Sequence, residues 1–207
     1  MKRLKTQHAN TSKRKKQIIE GALSCFNEFG VTETGMSDIC TRSKTSIGRI
    51  YHHFKSKEQL AASVFLEGIK NYQDGFLDVL EKQETAKKGI TKVVSYHLNW
   101  VVEHPEWSRY LFRESHAKFL GETKETFKQL NDEFFTRGGS CFKQHMQSGV
   151  LKKLPPDIFI SILMGSCQTF SRQYLFHQTC SDVEVAAKEI AQAVWQALKT
   201  EQNQTLN

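Results

Sequence analysis

The sequence predicts an all-α chain, with a three-helix helix-turn-helix segment followed by a six-helix body. Three observations carry this. Apolar residues recur at spacings of three and four along nearly the whole chain, and no stretch of any length alternates with the period of a strand. Only 3 of the 207 residues are proline. Gly, Pro and Ser/Thr punctuation falls at intervals that leave room for about nine helices.

In order, Ile18, Ala22, Cys25, Phe26 and Phe29 form the stripe of a first helix, with Thr11 or Ser12 as its cap and Gly30 as its stop. A short second helix spans about 36–42 and starts at Thr34 or Gly35. A third opens after Ser46 and reaches His53. Ser56 and Gln59 have the spacing of a capping box, opening a long helix through Leu60, Val64, Ile69, Phe76 and Leu80. After the polar stretch QETAKKG the pattern resumes at Val93, Val94, Tyr96, His97, Trp100 and Val101. Pro105 ends that helix and starts the next, which carries Trp107, Tyr110, Leu111 and Phe112. A helix over about 123–146 contains Gly138-Gly139 and stops at Gly149. Pro155-Pro156 start a strongly apolar helix, and Ser181 with Glu184 reads as a second capping box ahead of the last. Residues 1–55, 56–199 and a disordered tail 200–207 are the expected divisions.

Composition is that of an ordinary globular protein, 39% apolar and 25% charged. No apolar run approaches the roughly 20 residues that cross a bilayer, and the basic N-terminus lacks a signal's apolar segment, so a cytoplasmic protein is expected. The five cysteines are scattered without a C-x-x-C pair, which argues against a disulfide framework or zinc site. The net charge of +7 is unevenly placed. Residues 1–60 hold 12 Lys and Arg against 5 Asp and Glu, while residues 61–207 hold 17 of each. A balanced body with a basic head points to a polyanion as the partner of the head.

The stretch TSIGRIYHHFKSKEQL, residues 45–60, is where that polyanion would be met. Two short helices joined by a tight turn have the helix-turn-helix layout. Ser46 as N-cap leaves backbone N–H groups free to face a phosphate. Gly48, costing about 1 kcal/mol against alanine in a helix, removes the side chain that would hold the backbone off a duplex. Thr45, Ser46, Ile47 and Arg49 stand at the entering end, with Arg49 the candidate for a bidentate guanine contact. Lys44, Tyr51, His52, His53 and Lys57 serve phosphates or the groove wall, and Thr34 and Ser37 flank the start of the second helix. Phe54 reads as core; Tyr51 reads equally as core or contact. His52 and His53 diverge by about 100° around a helix, so no metal site is expected. The run Lys13–Lys16 is either a solvated patch or a phosphate-steering one.

These residues carry a resemblance. The run 26–60 resembles the DNA-binding domain of TetR-family (TetR/AcrR-type) transcriptional regulators: Phe26, Phe29 and Gly30 close helix 1, Asp38-Ile39 lie in helix 2, and Ser46-x-Gly48 opens helix 3. The signature Tyr51-x-x-Phe54-x-x-Lys57-x-x-Leu60 follows. Where the family usually has Ala-Gly-Val in the turn, this chain has Ser43-Lys44-Thr45, so Lys44 is expected to take the left-handed conformation that glycine adopts freely. Cys40 stands where alanine is common, and Gly35 where a threonine often caps helix 2. The resemblance implies a homodimer, a C-terminal ligand-binding and dimerisation domain, and repression by occupancy of an operator.

Residues 61–207 hold 18 aromatic side chains. Most are core. The surplus suggests a largely apolar site for a small effector, with Trp100, Trp107, Tyr110, Phe127, Phe134, Phe170 and Tyr174 as lining and His97, Arg113, His116 and Arg172 as anchors. On the penultimate helix Ile158, Ile162 and Thr169 line one face, and Gly165, Ser166 and Cys167 allow close approach of another helix. The last helix carries a wide band from Ala186 to Ala197. Two such helices from each subunit would form a four-helix dimer interface, whose twofold axis predicts a palindromic operator. The leading expectation is a repressor released by an apolar or aromatic effector, and the alternative is a ligand-dependent activator or corepressor-type regulator. No cofactor is expected. No nucleophile elbow, zinc-protease motif or phosphate loop marks an enzyme. A membrane-surface role would need the first helix's apolar face, which the neighbouring helices claim.

Overall fold

The computed structural model describes the backbone of residues 2–201, and the side chains from Lys13 onward apart from Glu122. Among the described residues it contains α1 (Lys2–Glu33), α2 (Met36–Ser43), α3 (Ile47–His53), α4 (Lys57–Glu81), α5 (Ala86–Glu103) and α6 (Pro105–Glu114). A short 3-10 helix (Lys118–Thr123) follows, then α7 (Lys124–Gln147), α8 (Pro156–Leu175) and α9 (Val183–Leu198). One antiparallel bridge, Leu151 with Lys199, is the sole β-type pairing among them. Thr200 N–H donates to Val150 O at 3.1 Å, which ties down the first residue of the expected tail. Residues 202–207 of that tail lie outside the described residues.

Two compact units interleave along the sequence: Met1–Lys70 with Glu106–Lys128, and Asn71–Pro105 with Gln129–Asn207. The division therefore passes through α4 and α7, whereas the sequence suggested a cut ahead of α4.

In the first unit, the α1 stripe Ile18, Ala22, Cys25 and Phe26 is fully buried and meets Ile39 of α2, Ile50 of α3, and Leu60, Ala61 and Val64 of α4. Tyr110 of α6 closes this core. Its ring stacks on Phe26 with centroids 5.9 Å apart, and its hydroxyl donates to Ala61 O at 2.9 Å. The stripe ends earlier than its periodicity implied, for Phe29 is 46% exposed just before Gly30 turns the backbone at φ 81°. Thr11 and Ser12, read as caps, lie within α1, whose helical backbone extends back to Lys2. α2 crosses α1 so closely that a Cβ on Gly21 would stand 2.7 Å from Ser43 Cβ.

In the second unit, Phe76 and Leu80 of α4 pack with Ile90, Val93, Val94 and Leu98 of α5, Phe142 of α7, Phe159, Leu163 and Cys167 of α8, and Ala187, Ala191, Val194 and Leu198 of α9. Each such large apolar side chain contributes about 1.5–3 kcal/mol by leaving water. Two boundaries differ from the sequence reading. α5 begins at Ala86, inside the polar stretch, because the Thr85 side chain caps it by accepting from Lys88 N–H at 3.3 Å. α9 takes Asp182, not Ser181, as N-cap, without a side-chain cap bond. Gly138-Gly139 does not interrupt α7, and Gly149 at φ 76° terminates the turn that follows it.

Candidate functional site

The turn between α2 and α3 sets the site. Lys44 has φ 50°, ψ 44°, the left-handed conformation. Lys44 N–H donates to Thr41 O at 3.3 Å and Thr45 N–H to Cys40 O at 3.0 Å. This pair of bonds is a Schellman turn, usually built on glycine. Ser43 is buried, its hydroxyl donating to Ile39 O at 2.6 Å, and the Thr45 hydroxyl donates to Ser43 O at 3.0 Å. α3 therefore leaves α2 in a fixed direction. Arg42 reinforces it by pairing with Glu28 and Ser24 of α1.

α3 is held by one buried residue. Ile50 is fully buried, while Ile47, Gly48, Arg49, Tyr51 and His52 are exposed. Ile47 is 52% and Tyr51 47% exposed, so a helix anchored at one point presents two large apolar groups to solvent. Ser46 caps α3 with extended backbone but no side-chain cap bond, which leaves its hydroxyl outward. A Cβ on Gly48 would meet nothing within 4 Å. No neighbour in the fold demands a glycine there.

The surrounding charge is positive. The His53 pKa is lowered, first by burial and then by His52, Lys15, Arg14 and Arg49, whose charges oppose a proton on its ring. The basic face of α1 thus stands beside α3, and Lys15 Nζ lies 5.9 Å from the Phe54 ring centroid. Phe54 itself is core at 2% exposure.

Of the twelve DNA-contact candidates, Ser37, Lys44, Ser46, Ile47, Gly48, Arg49, Tyr51 and His52 are exposed, and Thr45 and His53 are half-buried. The remaining two, like the Thr45 hydroxyl, are engaged within the protein. Thr34 is buried, its hydroxyl donating to Gly30 O at 2.6 Å, so it closes the end of α1. Lys57 donates to Thr32 O at 2.7 Å and Thr34 O at 3.0 Å, clasping the α1 terminus to the start of α4. Asp38 caps α2 by accepting from Gly35 N–H at 2.9 Å, and Gln59 accepts from Lys55 N–H at 2.6 Å while Ser56 accepts from Gln59 N–H at 3.0 Å. The Asp38 cap went unread because Gly35 offers no side chain to mark it.

Of the eleven ligand candidates, His116 lies in the first unit and Arg172 in the second; the other nine fall in the same two places. Trp107, Tyr110, Arg113 and Phe127 belong to the first unit: Trp107 packs over Gly68, Arg113 donates to Phe26 O at 2.8 Å, and Phe127 meets Phe65 edge-on at 5.6 Å. His97, Trp100, Phe134, Phe170 and Tyr174 belong to the second. There Tyr72, absent from the sequence-based set, is the hub. Its hydroxyl lies 2.8 Å from His97 Nδ1, and its ring contacts Trp100 at 5.2 Å and Tyr96 at 5.8 Å. Trp100 Nε1 donates to Asn71 at 3.1 Å, and Phe134 meets Phe76 at 5.2 Å. Tyr72 lies one turn beyond Ile69 on α4, and the sequence-based stripe passed from Ile69 to Phe76 without it. A separate groove of about 590 Å³ opens between α5 and α9, lined by polar residues such as Thr91, Ser95, Asn99 and Lys188 with Trp195. None of the nine candidates lines it.

Residues 18–64 match the model of the family described as bacterial regulatory proteins, tetR family. Over 83 residues the chain is 30% identical to the fatty acid metabolism regulator protein of Bacillus subtilis (strain 168), a match covering 40% of this chain and 43% of that protein, so it spans less than half of that relative's length. The fold is similar to that of a TetR family transcription regulator from Marinobacter aquaeolei VT8, with TM-score 0.77 at 16% identity over 95% of this chain and 100% of that one. It is also similar to the transcriptional regulator FadR from Bacillus subtilis in complex with stearoyl-CoA, with TM-score 0.74 at 18% identity over 86% of this chain and 96% of that one. None of its described helices is long and apolar enough to cross a membrane.

Proposed function

From the premise that the chain belongs to the tetR family of bacterial regulatory proteins, carried by residues 18–64, we propose that it is a DNA-binding transcriptional regulator, most simply a repressor released by a small, largely apolar effector. It would act in the cytoplasm, as a binding protein and not an enzyme. The observation that carries this reading is α3: one anchoring residue, Ile50, and an outward face of Ser46, Ile47, Gly48, Arg49 and Tyr51 beside a cluster of cations. Laid in a major groove, that face brings the Arg49 guanidinium to base edges and lets the Gly48 backbone approach without a side chain between. Lys15 and Arg14 would neutralise phosphates, and the helix would be positioned by these contacts together with hydrogen bonds from exposed His52.

The outward residues of α8 and α9 support a homodimer. Ile158 and Val185 are 45% and 52% exposed, Thr169 is exposed, and a Cβ on Gly165 would meet nothing within 4 Å. A second copy packed there in twofold symmetry would present two α3 helices to a palindromic operator. α4 runs from Lys57, which clasps the end of α1, to the Tyr72–His97 pair and beyond. An effector that prefers one setting of α4 would weaken operator binding by linkage; couplings of this kind are typically about 1–3 kcal/mol. The acyl chain of the stearoyl-CoA held by the Bacillus subtilis FadR is one molecule of the apolar kind this core would accept.

The test is selection of bound fragments from a random duplex library, followed by footprinting. An inverted repeat protected by the wild-type protein supports the reading. Arg49→Ala should then relax the base preference at one position of each half-site while leaving the salt dependence of binding nearly unchanged. A protein that retains no duplex at modest ionic strength refutes it.

A further inference from the structure

The buried polar side chains of the second unit are few, and two lack partners. His97 of α5 is 6% exposed and Ser171 of α8 is 1% exposed. His97 Nε2 and Ser171 Oγ have no hydrogen-bond partner within the protein. Leaving such atoms unpaired destabilises a fold, and native cores contain few of them. His97 lies on α5 and Ser171 on α8, two helices that share the core of this unit. His97 Nδ1 pairs with the Tyr72 hydroxyl at 2.8 Å. Cys167, one turn before Ser171 on the same helix, belongs to the buried cluster against which Tyr72 packs, and the Tyr72 pKa is raised mainly by burial and then by Cys167 and Tyr96. The inward face of α8 thus reaches the Tyr72–His97 pair.

We infer that the effector is an uncharged molecule with an apolar body and a hydrogen-bond acceptor, a carbonyl or ether oxygen, that receives the Nε2–H of His97. This rests on the regulator reading above and deepens it by naming the chemistry of the effector. The polarity follows from the tautomer. A phenol is the better donor and a neutral imidazole nitrogen the better acceptor, so Tyr72 O–H donates to Nδ1 and the proton of the ring sits on Nε2. The reverse arrangement would leave the phenolic proton to find another acceptor among the rings of Phe76, Tyr96 and Trp100.

Neutrality follows from what surrounds the pair. Among the described residues, the buried polar side chains of this unit are Gln73, His97 and Ser171, and none is charged. Gln73 is already committed to Asn131 at 2.8 Å. Burial pushes the His97 pKa down to about 4, so its imidazole is neutral near pH 7. A carboxylate or ammonium placed here would lose its water without gaining a counter-ion.

Trp100, 5.2 Å from Tyr72, provides the signal. Binding of 2-nonanone, nonane and nonanoate to the full chain is measured by tryptophan fluorescence and calorimetry, on wild type, His97→Leu and His97→Gln. In the wild type the ketone should bind about tenfold more tightly than either the alkane or the carboxylate, the margin of one net hydrogen bond. His97→Leu should erase the margin over nonane while still binding both, and His97→Gln, which restores an N–H donor, should keep most of it. A histidine that merely holds Tyr72 would lower thermal stability without removing the ketone's advantage selectively. Nonanoate binding most tightly, a margin that survives His97→Leu, or no binding by any of the three would each overturn the inference. The wild-type ranking decides even if the leucine variant does not fold. Operator binding by ligand-free wild type, followed by fluorescence anisotropy, tests the regulator reading separately.

Discussion

Replacing Gly48 by alanine should make the protein more stable and a worse DNA binder. Gly48 sits in the first turn of α3, and an added Cβ would meet no atom within 4 Å. Alanine there relieves the helix penalty of glycine, about 1 kcal/mol in a helix interior and less in a first turn, so a gain of roughly 0.5–1 kcal/mol is expected. For a chain of 207 residues that raises Tm by about 1–4 °C. Against DNA the same methyl group lies on the face that the proposal brings against the duplex. It should cost about tenfold or more in affinity, counted twice in a twofold dimer. Gly21→Ala is the control. Its Cβ would stand 2.7 Å from Ser43 Cβ and 2.9 Å from Ser43 Cα and N, so the backbone of α2 must move. Overpacking of about 1–3 kcal/mol outweighs the propensity gain, and Tm should fall. Differential scanning calorimetry gives Tm, and anisotropy of a labelled operator duplex at fixed salt gives affinity. A Gly48→Ala protein of raised Tm and undiminished affinity would refute the placement of α3 glycine side down.

Three further outcomes are expected. Lys44→Gly relieves a left-handed lysine at φ 50°, worth about 1–2 kcal/mol, against about 0.5–1 kcal/mol of extra freedom in the unfolded chain, so urea denaturation should show a net gain of roughly 0.5–1 kcal/mol. His97 has an ordinary pKa of 6.5 when unfolded and about 4 when folded; between those values the unfolded chain binds a proton the folded one does not. Stability should therefore fall as pH drops through that window, by on the order of 1 kcal/mol per unit, and His97→Gln should flatten the slope of urea midpoints between pH 7 and 5. Gly165→Glu places two carboxylates against each other across the proposed α8 interface; sedimentation equilibrium should show dimer dissociation rising about a hundredfold with helical content unchanged.

The first unit was largely legible in the sequence. Ser46 caps α3, Phe54 and Leu60 are core as read, and α2, α3 and the left-handed Lys44 follow from local turn rules that act within a few residues. Lys57 shows where such rules end. Its ammonium reaches carbonyls 23 and 25 residues earlier, a tertiary contact that no local pattern encodes. The aromatic set failed for a related reason. Composition counts rings but not which unit they fold into, so Tyr110, fully buried against Phe26, was grouped with Trp100 of the other unit. The start of α5 was missed because a single Thr85 cap turns a polar, lysine-rich stretch into helix.

Glycine space separates the demands of the fold from demands made by something outside it. Gly68 and Gly75 are required internally: a Cβ would stand 2.5 Å from the Trp107 ring and 2.2 Å from the Tyr96 hydroxyl, so close helix packing accounts for both. Gly48, Gly139 and Gly165 have open space and no such account. Openness alone selects nothing, because Gly139, with Phe135 half-exposed and Thr136, Arg137 and Ser140 exposed around it, has the same open space. What distinguishes the other two is their company. Gly48 is flanked by exposed Ile47 and Tyr51 within reach of cations, and Gly165 shares the outward side of α8 with exposed Ile158 and Thr169. A helix that tolerates a glycine's cost, exposes apolar groups beside it and gains nothing internally is shaped by a partner's surface. By that criterion the first face fits a polyanion and the second, largely apolar apart from Arg172, fits another copy of the chain.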